Sequence, residues 1–552
     1  MDGHDCVFYA FVLQPAFPLS AGSGSFGSVT FARSTSLPDY SKFTASFSCI
    51  VCLRLNEDDT AWPFAEIGRL LKEGACGGND TYVPHVAPDL TDVGDRTIDW
   101  SAFGNCQEGL SADTQALGFG VAGGATLTLT GDADAPNRPF CALDGTLRLS
   151  GGTKTIRLLQ VSGCNAYTTG RVEVVEGAAL KAVGTSKSLL ASHDRSFASL
   201  DIINGSFGPG VPEQYPLLDA GVATGAMGVL RIGPNGAADL GALQLATGER
   251  SYGGALFVDG GRLTCWKDSS YFGNKGQGYV EMTSGRMEFK PASALRTAQA
   301  PYSSMIFRMT GGTVDFDSDT HLYLSMNGGL SHFYMTGGTV DVKRVNVQLC
   351  QTSSNNTNAV AVLTLDGADA RFQVSSAGKG LDVGQQSNCV AIVNLNGGTL
   401  AADRLYFNRG TYASSQASLN FNGGTFEAVA TRSSGAISAD IRTTIGPNGG
   451  AIDTAGHDLT VDASLGRPTG QGLVSVPWTA EGGYEMPPRV EILGDGTGAS
   501  AIAEYNRATK TVTGIRITSA GNDYTWAKAC ISRGSRFCST NYYKIVEIDC
   551  AL

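Results

Sequence analysis

The sequence predicts an all-β protein whose main body is a parallel β-helix solenoid. One observation is a recurring phrase: a short alternating strand, a Gly pair, and a second strand that opens with a small or β-branched residue. The Gly pair or its equivalent falls at 260, 284, 311, 337, 367, 397 and 423, so successive copies lie about 24–30 residues apart. A strand-and-turn repeat of this length is typical of a solenoid coil. The other observation is composition, because 72 Gly and 19 Pro leave few stretches suited to helices.

Each copy of the phrase has the chemistry of one coil. In Val393-Asn394-Leu395-Asn396 apolar and polar residues alternate, which places Val393 and Leu395 on one face of a strand and the asparagines on the other. One such strand cannot bury its apolar face alone, whereas stacked coils align equivalent residues in a continuous apolar column. The Gly pair predicts a corner, because Gly reaches backbone angles that are closed to other residues.

The repeat also predicts the extent of the solenoid. Weaker copies upstream, such as Ala125–Gly131 and Val172–Ala178, extend the predicted repeat region to residues 118–465. A tandem of β-sandwiches is the alternative architecture, although sandwich strands are not expected to carry one phrase at so steady a step.

The two ends of the chain lack the repeat. Residues 1–117 contain an alternating segment at Phe43–Leu55, which predicts an N-terminal β cap or a sandwich-like region. Residues 466–552 contain alternating strands with Gly turns, which predict a small C-terminal β module. The stretch 531–552 has a different composition, and no structure is assigned to it.

Composition excludes several classes of partner. The chain has 40 Lys plus Arg against 51 Asp plus Glu and a net charge of −11, which argues against nucleic acid, since a nucleic-acid partner requires a basic surface. No run of 18 apolar residues occurs, so we expect no membrane insertion by this chain. The apolar segment Cys6–Leu13 resembles the core of a signal peptide, but the residues before it are acidic, whereas a secretory leader begins with basic ones.

The 13 cysteines are dispersed along the chain. Cys49 and Cys52 form a Cys-x-x-Cys pair, but no second paired cluster completes a zinc site. The sequence leaves open whether these cysteines are buried thiols or are partly joined in disulfide bonds.

Two segments carry a resemblance to a known family. Val393–Leu400 and Gly449–Val461 resemble the autotransporter-associated β-strand repeats of bacterial surface and secreted proteins. Pro487–Tyr524 is similar to a Gly-rich module that accompanies such repeats. The resemblance implies a right-handed parallel β-helix, an extracellular or cell-surface location, and a role in adhesion or surface display.

An acidic strip is the candidate for catalysis or metal binding. Asp315, Asp317, Asp319 and His321 alternate with other residues, so on one continuous strand they would share a face. Carboxylates on neighbouring positions suit acid–base chemistry on a glycoside, and Asp315, Asp317 and Asp319 could also bind Ca²⁺ through oxygen ligands. A solvated outer face is the alternative, and we expect no other cofactor.

Aromatic residues concentrate between positions 266 and 334. Rings exposed on successive coils could stack on sugars, whereas rings turned inward would fill the core or the corners. The candidate ligand-binding residues are Trp266, Tyr271, Tyr302, Tyr323 and Tyr334.

The sequence therefore favours a non-enzymatic repeat scaffold, extracellular or surface-displayed, that is adhesin-like or glycan-binding. We expect a monomer whose partner is a glycan or a host or cell-surface protein. One alternative is a polysaccharide lyase or glycoside hydrolase that uses the acidic strip. Another is a structural spacer of a larger surface protein. The enzyme hypothesis requires a groove lined by carboxylates, and the adhesin hypothesis requires a polar or aromatic face. A spacer requires neither feature.

Overall fold

The computed structural model describes residues 126–532 with short gaps, residues 95–99, 117–120 and 543–551, and four short strands nearer the N-terminus. The gaps are 163–167, 185, 250, 268, 291–293, 302, 318–319, 344–346, 352–357, 385–386, 408–409 and 412.

The structure confirms the predicted fold class. The chain is all-β, with a parallel β-solenoid of about 11 turns between residues 145 and 466 and a small antiparallel sheet at the C-terminus. No helix occurs among the described residues. The chain divides into two compact units, residues 1–218 with 235–240 and residues 219–234 with 241–552.

The first unit begins with a four-stranded sheet in the order β2-β1-β3-β4. Its strands are β1 (Cys6–Phe11), β2 (Val29–Thr30), β3 (Ser48–Arg54) and β4 (His85–Asp89). β3 lies within the alternating segment Phe43–Leu55, as the sequence predicts. Whether the surrounding residues complete a cap or a sandwich concerns positions outside the described residues, and the boundary at 117 stays a prediction.

The parallel pairing that continues into the solenoid starts at β5, whose residues Arg96–Asp99 pair with 127–130. In the coils that follow, Leu147, Val172 and Leu200 lie in register and are buried. The strands are β5 (Arg96–Asp99), β6 (Leu117–Gly120), β7 (Thr126–Thr130), β8 (Ala133–Ser150), β9 (Thr153–Val161), β10 (Thr169–Val175), β11 (Ala179–Ala182), β12 (Ser188–Leu190), β13 (Phe197–Ile202), β14 (Ser206–Pro209) and β17 (Ala237–Leu240). β15 (Leu217–Ala220) contains the division between the two units.

The coils of the second unit contribute parallel strand segments to three faces. Face A comprises β16 (Met227–Ile232), the first parts of β19 (Gly253–Cys265), β21 (Gln277–Phe289), β26 (Leu330–Val342) and β28 (Ala359–Val374), and β23 (Ser304–Met309), β30 (Cys389–Leu395), β33 (Gln416–Phe421), β35 (Arg442–Ile445) and β37 (Leu465–Gly466). Face B comprises the second parts of β19, β21, β26 and β28 with β24 (Thr313–Phe316), β31 (Thr399–Ala402), β34 (Thr425–Ala428) and β36 (Ala451–Asp453). Face C comprises β18 (Ala242–Leu245), β20 (Ser269–Phe272), β22 (Ala294–Thr297), β25 (His321–Met326), β27 (Val347–Gln351), β29 (Leu381–Val383) and β32 (Leu405–Tyr406).

The core of the second unit consists of apolar columns that run from coil to coil. The alternation in each strand turns every second side chain inward, and the parallel register places it over its equivalent in the next coil. On face B one buried column reads Leu263, Met287, Val314, Val340, Phe372, Leu400 and Phe426. In a second column, the rings of Phe289 and Phe316 stack at 4.7 Å between centroids. The predicted apolar column is therefore confirmed.

The Gly pairs form the predicted corner. Gly312 and Gly338 occupy the same place in consecutive coils, with φ of 86° and 87°. A Cβ atom on Gly338 would lie 2.8 Å from the carbonyl oxygen of Gly312. Both the backbone angle and the close approach of the coils therefore require Gly at this corner.

The C-terminal module is antiparallel, with strand orders β38-β44-β43-β40 and β39-β42-β41. Its strands are β38 (Gly472–Ser475), β39 (Glu481–Gly482), β40 (Arg489–Gly494), β41 (Ser500–Asn506), β42 (Thr511–Ser519), β43 (Ala527–Ser532) and β44 (Tyr543–Ala551). The stretch 531–552, to which the sequence assigned no structure, thus contains the strand β44. Its pairing with β43 joins residues that lie 11 to 21 positions apart and carry no shared motif.

The module packs against face A of the solenoid. Polar side chains and carbonyls of the module hydrogen-bond to the outward polar residues of face A, which would otherwise be solvated. Asn394 donates to Ser500 Oγ at 2.9 Å, and Asn420 donates to Ser519 Oγ at 3.1 Å. Arg308 donates to the carbonyl of Tyr505 at 3.1 Å. Face A is therefore an internal interface, whereas most of the outward side chains of faces B and C, such as Asp315 and Tyr323, are partly or fully exposed.

His332 is a titratable group whose pKa this packing changes strongly. Its Nε2 lies 3.0 Å from Thr364 Oγ1, and the ring approaches the backbone of Ala501 in the module. Burial lowers the pKa of His332 from 6.5 to about 4, because the charged imidazolium loses its water. The module therefore requires this histidine to be neutral.

We expect Phe316→Ala to lower the free energy of unfolding by about 3–5 kcal/mol, because it removes a stacked ring from the core column. The control Thr313→Ala changes an exposed residue of the same strand and should shift stability by less than about 0.5 kcal/mol. Urea unfolding followed by circular dichroism measures both. Equal shifts for the two variants would contradict the assignment of inward and outward residues.

We also expect stability to fall as the pH drops from 6.5 towards 4. The unfolded chain binds a proton on His332 in this window and the folded chain does not, so unfolding gains up to about 3 kcal/mol from this residue below the folded pKa. His332→Asn should flatten that part of the pH profile relative to wild type. An unchanged slope in the variant would show that His332 is not buried.

Candidate functional site

Face C carries the most distinctive outward column of the second unit. Every second residue on its strands points outward, and the parallel register aligns these residues across seven coils. The column reads Gln244, Tyr271, Arg296, Tyr323, Gln348, Asp382 and Tyr406. The alternate residues, Leu295 and Leu322 among them, point inward and are fully buried. The core thus fixes the orientation of the column.

Arg296 lies between two tyrosine rings in this column. Its guanidinium carbon is 5.6 Å from the ring centroid of Tyr271 and 5.7 Å from that of Tyr323, which are cation–π distances. Nη1 of Arg296 donates to Tyr271 Oη at 3.4 Å. Burial raises the pKa of Tyr323, and the charge of Arg296 opposes the rise. The three residues form a half-buried strip of two neutral rings around one cation.

His321 extends this strip sideways. It is the first residue of β25 and is exposed, and its ring is parallel to that of Tyr323 at 5.4 Å between centroids. We call Tyr271, Arg296, Tyr323 and His321 the tyrosine–arginine strip. It offers aromatic surface, two phenol hydroxyls, an imidazole and a guanidinium on one rigid face.

Trp266 lies beside the strip rather than in it. It follows the last face B residue of its coil, at the corner that leads to Tyr271 on face C. In the next coil Lys290 places its Nζ 5.6 Å from the Trp266 ring centroid. Trp266 is therefore a corner residue, as the alternative interpretation of the aromatic cluster expected.

Tyr334 does not belong to the exposed aromatic surface. It lies on face A with 4% of its surface exposed, and its hydroxyl donates to Asp366 Oδ2 at 2.6 Å. Arg516 of the module donates to the same hydroxyl at 3.1 Å. Burial and Asp366 raise the pKa of Tyr334. The module covers this ring, so its proposal as a ligand-binding residue is wrong. Tyr302 lies outside the described residues.

The structure separates the members of the acidic strip. Asp315 points outward from face B, but the strand ends at Phe316 and the chain turns. Asp317 is in that corner, and His321 starts a strand on face C. Asp319 lies outside the described residues. The expectation that these side chains share one face is wrong, because a solenoid corner interrupts the strand on which it depended.

Asp315 instead joins a column of carboxylates on face B. Glu288, Asp315 and Asp341 are in register on consecutive coils. Arg286 bridges the first two, at 2.9 Å from Glu288 and 3.0 Å from Asp315, and Ser375 donates to Asp341. Among the described residues, no group of three or more His, Cys, Asp or Glu side chains is placed to hold a metal ion.

A cavity of about 240 Å³ lies between face A and the module. Its lining is mostly apolar, with Val362 and Ile392 on the solenoid side and Val490 on the module side. Its buried imidazole, His332, already bonds to Thr364. The cavity is a packing gap of the interface and offers no uncommitted polar group of His332 to a ligand.

Sequence reasoning missed Arg296 as a candidate. The available signal was spacing, because Tyr271, Arg296 and Tyr323 are 25 and 27 residues apart, one coil at each step. Arg296 belongs to a segment without the Gly phrase, so its register became visible only once the strands of face C were paired.

Comparisons with known proteins assign no family to the chain. No family model matches the chain, and neither the curated proteins nor the solved structures give a match. In the part of the chain that the structure describes, no helix is long and apolar enough to cross a membrane.

Proposed function

We propose that the protein is a non-enzymatic, extracellular or surface-displayed repeat scaffold that binds a glycan through the tyrosine–arginine strip. The observation that carries the proposal is the alignment of Tyr271, Arg296 and Tyr323 in register on three consecutive coils. The resemblance of the Gly phrase to autotransporter-associated repeats supports a surface location and an adhesin-like role.

The chemistry of the strip suits sugar recognition. Tyrosine presents a large amphipathic ring with few rotatable bonds, so binding through it costs little conformational entropy. Here the rings are further held by Arg296 and by the buried residues that alternate with them. Residues on strands of a rigid scaffold keep the geometry that binding requires. An extended column, repeated at the spacing of the coils, matches a chain-like ligand better than a compact one.

Face B provides the second candidate function, a polysaccharide-acting enzyme. Carboxylates on adjacent strands are separated by about 5 Å, which is similar to the separation in retaining glycosidases. Arg286, however, contacts both Glu288 and Asp315 and commits them to ion pairs. The enzyme reading therefore has less support than binding on face C. A spacer role requires neither face.

The direct test is glycan binding by Tyr271→Ala and Tyr323→Ala variants. Each substitution should weaken binding about 5- to 10-fold, since an aromatic contact contributes on the order of 1 kcal/mol. The matched control is Tyr406→Ala, which removes the same residue type from the same column three coils after Tyr323. Oligosaccharide arrays followed by calorimetry measure the affinities.

Loss of affinity in the first two variants alone would support the strip as the binding surface. Equal losses in all three variants would reject it in favour of a general effect on stability. Release of shortened products, abolished by Asp315→Asn, would instead establish the enzyme on face B. Binding of proteins but of no glycan would also overturn the proposal.

A further inference from the structure

We propose that the ligand of the strip is an acidic oligosaccharide and that Arg296 binds its carboxylate or sulfate group. This inference rests on the proposed glycan-binding function and specifies its substrate class. It follows from three properties of Arg296: the absence of a counter-ion among the described residues, the rings that cover its faces, and the polar groups around it that have no partner in the described part of the chain.

The first property is the missing counter-ion. Among the described residues, Arg296 has contacts with Tyr271 and Tyr323 but no ion pair with a carboxylate. Several other arginines of the second unit do have such partners. These pairs are Arg286–Glu288, Arg371–Glu427, Arg404–Asp382, Arg432–Asp403 and Arg442–Asp523. In a chain of net charge −11, an arginine without a carboxylate partner among the described residues has a charge that a ligand anion can neutralise.

The second property is the covering of the guanidinium by aromatic rings. A guanidinium is a planar fork of five donors. With Tyr271 and Tyr323 on either side, the fork is held in one orientation, and the cation is partly removed from water. Partial desolvation strengthens its attraction for an anion, and fixed orientation lowers the entropy cost of a two-point hydrogen bond.

The third property is the set of uncommitted polar groups. Nε of Arg296 is buried and has no hydrogen-bond partner within the described part of the chain, and its Nη1 has only the long bond to Tyr271. Oε1 of Gln348, next to Tyr323 in the column, also lacks a partner there. Unsatisfied donors and acceptors cost free energy, which a ligand with an acid group and neighbouring hydroxyls would recover.

The nearest carboxylate of the column does not compete for Arg296. Asp382 follows Gln348 in the column and is bound by Arg404 at 3.4 Å, while the ring of Tyr406 stacks on Arg404 at 5.1 Å. A second Tyr–Arg contact thus lies at the edge of face C and is neutralised by Asp382, whereas Arg296 has no carboxylate partner among the described residues. That contrast assigns the anion site to Arg296.

The test compares an acidic probe with its neutral counterpart in wild type and variants. The probes are oligogalacturonate, the same oligosaccharide with its carboxylates methyl-esterified, and a sulfated oligosaccharide of equal length. Calorimetry on wild type, Arg296→Gln, Arg296→Lys and Arg467→Gln measures each affinity. Arg467 is exposed in the same unit, so Arg467→Gln removes the same net charge away from the strip.

We expect wild type to bind one acidic probe about 10-fold or more tightly than the methyl ester. Arg296→Gln should weaken binding of the acidic probe about 10-fold more than binding of the ester and so abolish that preference, whereas Arg467→Gln should preserve it. Arg296→Lys should keep part of the preference, because the charge remains but the fork is lost. The two acidic probes distinguish a carboxylate from a sulfate ligand.

Two results would overturn the inference while the glycan-binding proposal survives. One is equal binding of acidic and neutral probes by wild type. The other is equal weakening of both probes by Arg296→Gln, which would mean that the arginine only supports the tyrosine rings. Absence of binding to every probe, including the neutral one, would reject the inference together with the proposed function.

Discussion

Parallel backbone pairing between successive coils is the interaction on which the rest of the structure depends. It repeats each strand directly over its equivalent, so one inward position becomes a continuous column such as Val314, Val340 and Phe372. The same register acts on outward positions, where it converts isolated surface residues into strips. Core and recognition surface are therefore two results of one constraint, and a slip of one residue would exchange them.

The C-terminal module decides which of those strips can reach a ligand. By covering face A the module removes Tyr334 and His332 from solvent. Polar residues of face A such as Asn394 then form hydrogen bonds across the interface. Face B remains outward but carries arginines and carboxylates that neutralise one another. On face C, partly exposed aromatic rings flank a cation, Arg296, that has no carboxylate partner among the described residues. The distribution of charge and aromatic surface thus singles out one face without any reference to a homologue.

The sequence was most informative about features that are determined within a single coil. Alternation and the Gly phrase predicted the strands and the corner glycines, because both depend on local backbone chemistry. It was least informative where position depends on another coil or on the module. Asp315 and His321 look like one face until the corner after Phe316 is known, and Tyr334 looks like an exposed ring until Arg516, 182 residues later, is placed upon it. No local pattern encodes such distances.

The most direct measurement is hydroxyl-radical footprinting of the tyrosines, read by mass spectrometry, with and without a saturating acidic oligosaccharide. We expect Tyr271 and Tyr323 to be reactive in the free protein and protected by the ligand. Tyr406 should be equally reactive in both samples, and Tyr334 should be unreactive in both. Unchanged reactivity of Tyr271 and Tyr323 under saturation, or a reactive Tyr334 in the free protein, would contradict these expectations.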